Sequence, residues 1–340
     1  MKCVQGNSTV LGAIRPRAGR LPASVLLILL VFFSVPPSAR AQQNPDSQAG
    51  PCAPSGLSQL IVPEGRLVRV NPIPEQTAQA RRRLETRSAD DSSANFSTDP
   101  VARKAYKIFE AEAQMGRPAA MVNLAVSSLA GWGAPPNAGT ALYWLHAAAD
   151  QNFAPAFYNL GILYFEGCGV RRDYAQAFRF FQQGAGAGDS AAQTNLGYLY
   201  DQGLGVAPDR VAAARWYRRA AEGGEARAQY NLGDLYLRGE GVPQDDAAAF
   251  AWFQKAALQG HAGARIMLGS IYAIGRGVPK DLQAAYLWTS AAALQGDTRG
   301  YALLLSLEAQ LTPAQLADAR LRAQSLARSS APSGNLAFIH

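Results

Sequence analysis

One pattern recurs every 36 positions between residues 154 and 297, stated as AFYNLGILYFEGCGVRRDYAQAFRFFQQGAGAG and then three more times. A glycine follows the leucine at Gly161, Gly197, Gly233 and Gly269, and a tyrosine stands three residues on at Tyr164, Tyr200, Tyr236 and Tyr272. Each unit holds two helical patterns. A period of this length with two helices per unit specifies a helical solenoid, in which neighbouring units bury one continuous core.

Three further features complete the unit: a Gly-x-Gly-Val loop followed by Asp, an Ala-x-x-aromatic step in the second helix, and a closing Gly after Ala-Ala. With these the chain resembles the Sel1-like repeat branch of the tetratricopeptide superfamily over about residues 100 to 327. The resemblance implies an all-α, right-handed α/α solenoid of about five 36-residue repeats with helical caps, and a use as a binding surface. The repeats fall at 118–153, 154–189, 190–225, 226–261 and 262–297. The first is degenerate, with Ala125 and Ser128 where later units have Gly and Tyr.

The formal charge of +7 suggests a nucleic-acid or anionic-lipid partner. However, Lys2, Arg15, Arg17, Arg20 and Arg40 all precede residue 42 with no acid among them, so about +2 remains beyond that point. Residues 1–41 have the grammar of a signal peptide: basic residues, the apolar run Val25–Phe33, and Ala39-Arg40-Ala41 at the cleavage positions. The run is short for a membrane span. A periplasmic or secreted protein with no integral membrane domain after signal removal is expected. Cys52 and Cys168 survive processing, and in an export compartment they either bridge or remain two free thiols.

Residues 42–98 read as a flexible, mostly disordered tether, polar and proline-rich, with only the stretch IVPEGRLVRV suited to a strand. An N-terminal capping helix is expected over 99–117, its apolar face made by Ala105, Ile108, Phe109 and Ala113. C-terminal capping helices are expected over 298–327, with Leu316, Ala319, Leu321 and Leu326 on the last one's apolar face, followed by a disordered tail at 328–340.

Within each unit the first helix uses its glycine to admit a neighbour. Gly167, Gly203, Gly239 and Gly275 stand where a left-handed residue ends that helix. Asp173, Asp209, Asp245 and Asp281 then stand where a carboxylate caps the second helix. Their regularity marks them as caps, not as catalytic groups. Phe180, Trp216, Trp252 and Trp288 read as core.

No zinc-protease, paired-cysteine, nucleophile-elbow or phosphate-loop arrangement occurs, so neither catalytic residues, metal nor cofactor is expected. An isolated basic patch around Arg215 is insufficient for nucleic-acid binding. The variable positions of the first helices remain. In related solenoids that helix lines the concave face, which makes Tyr158, Asn159, Ile162, Thr194, Asn195, Tyr198, Arg227, Tyr230, Asn231 and Asp234 the candidate partner contacts. The asparagines serve either a partner backbone or the array itself. The expected function is a non-catalytic exported adaptor for a protein or peptide, including a cell-envelope component. The alternatives are a polysaccharide-assembly scaffold or an enzyme on cell-wall or β-lactam substrates. The enzyme is proposed for cysteine-rich relatives whose repeats are disulfide-braced, as these are not.

Overall fold

The computed structural model describes residues 59–61, 67–69 and 100–329, all within the compact unit Pro37–His340. The leader, the remainder of the tether and residues 330–340 lie outside the described residues. A cap helix α1 (Pro100–Gln114) precedes five helix pairs: α2 (Pro118–Ala130) with α3 (Ala138–Ala149), α4 (Ala154–Glu166) with α5 (Tyr174–Gly186), α6 (Ser190–Gln202) with α7 (Arg210–Glu222), α8 (Ala226–Arg238) with α9 (Asp246–Leu258), and α10 (Ala262–Ile274) with α11 (Leu282–Ala293). A short 3-10 turn leads into α12 (Tyr301–Glu308), and α13 (Pro313–Ser329) ends the described chain. Each second helix packs on its own first helix and on the next unit's first helix, so the array is an all-α solenoid.

Where the sequence suggests a single strand, two three-residue strands form instead. β1 (Gln59–Ile61) pairs antiparallel with β2 (Leu67–Arg69), with Leu60 opposite Val68.

The local punctuation is physical. Asp173 Oδ1 accepts the Ala175 and Gln176 amides at 2.9 and 3.0 Å, and Asp245 accepts those of Ala247 and Ala248 at 3.0 and 2.9 Å. Asn137 takes the same role in the degenerate first unit. Such a cap contributes about 1 kcal/mol. The second glycine of each loop has a role that the sequence did not reveal. A Cβ on Gly241, whose φ is +70°, would stand 2.1 Å from the Arg210 carbonyl oxygen, and one on Gly205 2.2 Å from that of Tyr174. The loop of one unit thus lies directly on the start of the preceding unit's second helix.

The first-helix glycine admits a ring rather than a neighbouring backbone. A Cβ at Gly161 would stand 2.5 Å from Phe181, at Gly197 2.8 Å from Tyr217, and at Gly233 3.0 Å from Phe253. These fully buried rings follow by one residue the aromatics that the sequence marks as core. Trp216, Trp252 and Trp288 are half-buried instead, and the Lys255 ammonium sits 4.0 Å over the Trp252 ring. In the first unit Leu145 replaces the ring and Ala125 the glycine, a matched exchange of volume.

A polar ladder runs through this core. Gln193, Gln229 and Arg265 occupy equivalent positions, and each donates to a carbonyl of the preceding second helix, those of Ala185, Ala221 and Ala257, at 3.3, 3.1 and 3.1 Å. Arg265 also reaches the carbonyls of Ala291 and Leu326, at 3.3 and 3.5 Å, which fastens α13 to the array. That helix buries Ala319 and Ala323, whereas Leu321, expected on its apolar face, is exposed. In α1 the same correction applies to Ile108. Ala102 is buried there instead, and Tyr106 turns its hydroxyl toward Ser128 at 3.1 Å.

Candidate functional site

Two rows of variable positions run along the units' first helices. One row is Val122, Tyr158, Thr194, Tyr230 and Ile266; the other is Val126, Ile162, Tyr198, Asp234 and Ser270. Their exposure varies along the array. Val122, Val126, Ile162, Thr194 and Ile266 are buried, Tyr158, Tyr230, Asp234 and Ser270 are half-buried, and Tyr198 is exposed at 38%.

Three of the candidate contacts are therefore inaccessible. Ile162 is apolar and covered. Thr194 turns its hydroxyl back to the Ser190 carbonyl at 2.9 Å, and Asn159 donates to the Pro155 carbonyl at 2.7 Å. Short polar side chains in a helix readily take the carbonyl one turn back, and that local bond removes them from outside partners. Asn195 behaves similarly, donating to Ala191 at 3.1 Å, while its Oδ1 accepts from Arg227 at 2.9 Å. The last bond joins the third and fourth repeats. Asn231 differs from both equivalents: its half-buried amide makes no hydrogen bond to another described residue.

The accessible groups gather on α6 and α8. Tyr198 stands edge-on to Phe165 at 6.1 Å between ring centres. Tyr230 stacks on His261, the cap residue of α10, at 4.7 Å, and lies 5.6 Å from Phe253. Below them Tyr217 is buried, which pushes its phenol well above the ordinary value, and Asp201, Tyr198, Arg227 and Asp234 all act on it electrostatically. Burial likewise raises the Tyr158 phenol, which Arg227 partly offsets, and the Tyr230 phenol. The Asp234 carboxyl is also held above the usual carboxylate range by burial, despite its ion pair with Arg238. Arg238 continues to Glu240 at 3.2 Å, and Glu240 to Arg210 at 3.1 Å.

His261 is a site residue that sequence reasoning missed. Its Nδ1 accepts the Ala264 amide at 3.1 Å, capping α10. Burial, with help from the Arg227 and Arg299 charges, lowers its pKa to about 4, so the imidazole beside Tyr230 is neutral at pH 7. The available signal was positional. The residue before the first helix of each repeat runs Arg117, Phe153, Asp189, Glu225 and His261, and of these His261 alone is an imidazole that can cap and stack while neutral.

The arrangement offers amide, phenol and guanidinium groups along two parallel helices, suited to an extended backbone with side chains between the rings. Among the described residues no group of three or more His, Cys, Asp or Glu is placed to hold a metal. No described helix is long and apolar enough to cross a membrane. Cys168 is disulfide-bonded; its partner lies outside the described residues, as does Cys52.

Tandem helix pairs with constant packing positions and a variable outward row define a repeat scaffold. More particularly, the Sel1 repeat family matches residues 118–153, 154–189, 190–225, 226–261 and 262–297, and the chain belongs to that family. It is similar to c5321, a protective antigen of uropathogenic Escherichia coli displaying an SLR fold. Identity is 30% over 66% of this chain and 56% of that one, with a TM-score of 0.58. This chain therefore spans just over half of that relative. A Sel1 repeat protein from Oxalobacter formigenes is 33% identical over 56% of this chain and 76% of its own, with a TM-score of 0.52. No curated protein matches the chain. Sel1-repeat proteins are in general protein-interaction scaffolds and typically non-catalytic.

Proposed function

We propose that this chain is an exported, non-catalytic adaptor that holds an extended segment of another protein, a cell-envelope component, along α6 and α8. This is the concave side in solenoids of this kind. The observation that carries the reading is the unspent Asn231 amide, one turn along α8 from exposed Arg227, with exposed Tyr198 on α6, while Asn159 and Asn195 bond within the array. An amide with free donor and acceptor groups is what a peptide backbone requires, and a tyrosine supplies contact area at low entropic cost. The leader pattern in residues 1–41 supports export to the periplasm or beyond.

The test is site-specific photo-crosslinking in envelope extract, with the probe placed at Tyr198, at Asn231, or at Val211 on a second helix. A protein adduct at the first two positions but not the third supports the reading, and replacing both Tyr198 and Asn231 by alanine should weaken that partner's binding by about tenfold or more. Adducts at Val211 alone would move the site off this face.

A further inference from the structure

The loop of each later repeat rests on the unit before it. Its second glycine meets the first residue of the preceding second helix: Gly205 lies on Tyr174, Gly241 on Arg210 and Gly277 on Asp246, where an added Cβ would stand 2.2, 2.1 and 2.9 Å from the nearest atom. Helix α11 begins at Leu282, and its cover would come from a sixth unit. The chain starts that unit and then departs from it. In register, α12 falls in the first-helix slot, but Leu311, Thr312 and Pro313 stand where the fifth unit has Gly275, Arg276 and Gly277. Helix α13 then begins at Pro313, ahead of residue 318, the place 36 positions beyond Leu282. The Gly-x-Gly-Val loop is thus missing. Among the described residues an open cleft of about 570 Å³ remains there, between the start of α11 and the turn into α13, a size ordinary for a ligand site.

The walls of this cleft suit a peptide backbone. Gln310 donates to the Ser306 carbonyl at 3.0 Å, Gln283 donates to Asp318, and Gln315 accepts the Thr312 amide at 3.0 Å. Each carboxamide is anchored at one end, and its other end makes no hydrogen bond to a described residue. Two of these ends are oxygens that accept and one is an amide nitrogen that donates, which matches backbone N–H and C=O groups.

We propose that the cleft is a second binding site, sharing no residue with the α6 and α8 face, and that its ligand is a Gly-x-Gly-Val turn of another protein with an apolar residue between the glycines. The array itself supplies the rule for that middle residue. Glu240 pairs with Arg210 at 3.1 Å and Arg276 with Asp246 at 2.9 Å, so the residue between the glycines complements the helix-start residue that the loop covers. In the third unit it is Leu204, and the helix below begins with Tyr174. Leu282 is apolar, and an acidic middle residue would lack the arginine that Glu240 meets.

The test uses the full chain and two end-blocked synthetic peptides, GLGVAP (residues 203–208) and GEGVPQ (residues 239–244), each with a diazirine side chain in place of its valine. After irradiation at peptide concentrations up to about 1 mM, mass spectrometry locates the adducts. GLGVAP should label segments 280–283 and 310–315 at least about fivefold more than GEGVPQ does. Leu282→Arg should reverse that preference, since Arg210 holds the same position in α7. Absent labelling, labelling elsewhere on the chain, or equal labelling by both peptides overturns the proposal. So does an unreversed preference in a Leu282→Arg chain whose circular dichroism is unchanged; if that variant loses helix, the preference of the wild-type chain decides alone. These readouts involve neither Tyr198 nor Asn231, so their outcome is separate from that of the crosslinking test.

Discussion

Helices α2 and α8 hold the same slot of the repeat, and their outward rows have opposite chemistry. In α2 the row is valine and fully covered; in α8 it is tyrosine and aspartate, half open, with an ion pair reaching Arg238. Inward, the two helices are alike: a leucine, Leu124 or Leu232, lies at the core, and a small residue, Ala125 or Gly233, faces the partner helix. The repeat constrains what faces the next helix and leaves the outward row free. Composition of that row therefore differs from unit to unit, and with it the polarity of the surface each unit presents.

The sharpest way to break this comparison is to exchange the rows. Val126→Asp puts an unpaired carboxylate into a covered apolar site and should cost about 3 kcal/mol or more. Asp234→Val in the same slot of α8 loses only a surface-type ion pair and should stay within about 1 kcal/mol. Thermal unfolding by circular dichroism separates the two, and equal losses would mean that the rows are not differently covered. Inward positions should be costly wherever they fall. Gly241→Ala forces a Cβ against the Arg210 carbonyl at positive φ and should cost about 3 kcal/mol. Gly224→Ala, at φ +91° with open space around it, should cost about 1 kcal/mol.

A smaller effect sharpens the α8 side. His261 is neutral in the folded chain with a pKa of about 4, below its unfolded value of 6.5. Between those values the unfolded state binds the extra proton. Stability from this group is therefore complete above about pH 6.5 and falls as pH drops toward 4, by about 2 kcal/mol once partial exposure is allowed for. The raised carboxyls of Asp189 and Asp234 act in the opposite sense at acid pH. The measurement is accordingly the difference between wild type and His261→Asn across that window. A pH-independent difference would remove the buried neutral imidazole from the account of the Tyr230 stack.

Much of the fold was legible because repetition turns each local rule into several independent trials. The aspartate caps at Asp173, Asp209, Asp245 and Asp281, and the left-handed glycines at Gly167, Gly203, Gly239 and Gly275, depend on a few neighbouring backbone atoms. Such requirements show in sequence. Spacing alone is insufficient where the answer depends on a neighbouring element. Phe181, Tyr217 and Phe253, not the residues before them, fill the space over the first-helix glycines, because a face three or four residues wide cannot be assigned to within one position by spacing alone. The same periodicity places Ile108 and Leu321 inward, and both face outward.

The candidate site was legible as a row but not as a surface. Tyr158, Tyr198, Tyr230 and Asp234 stand in the predicted rows, whereas Asn159, Ile162 and Thr194 are lost to burial and to carbonyls one turn back. From sequence Asn159, Asn195 and Asn231 are indistinguishable. Only in the folded array does Arg227 take the oxygen of Asn195 while Asn231 is left unspent. The sequence by itself determined the repeat, its caps and its turns, because those are set within one unit by backbone conformation. Tertiary structure alone decided which polar groups stay available and which positions of the rows are buried, because hydrogen bonds and packing between units join residues with no shared local pattern.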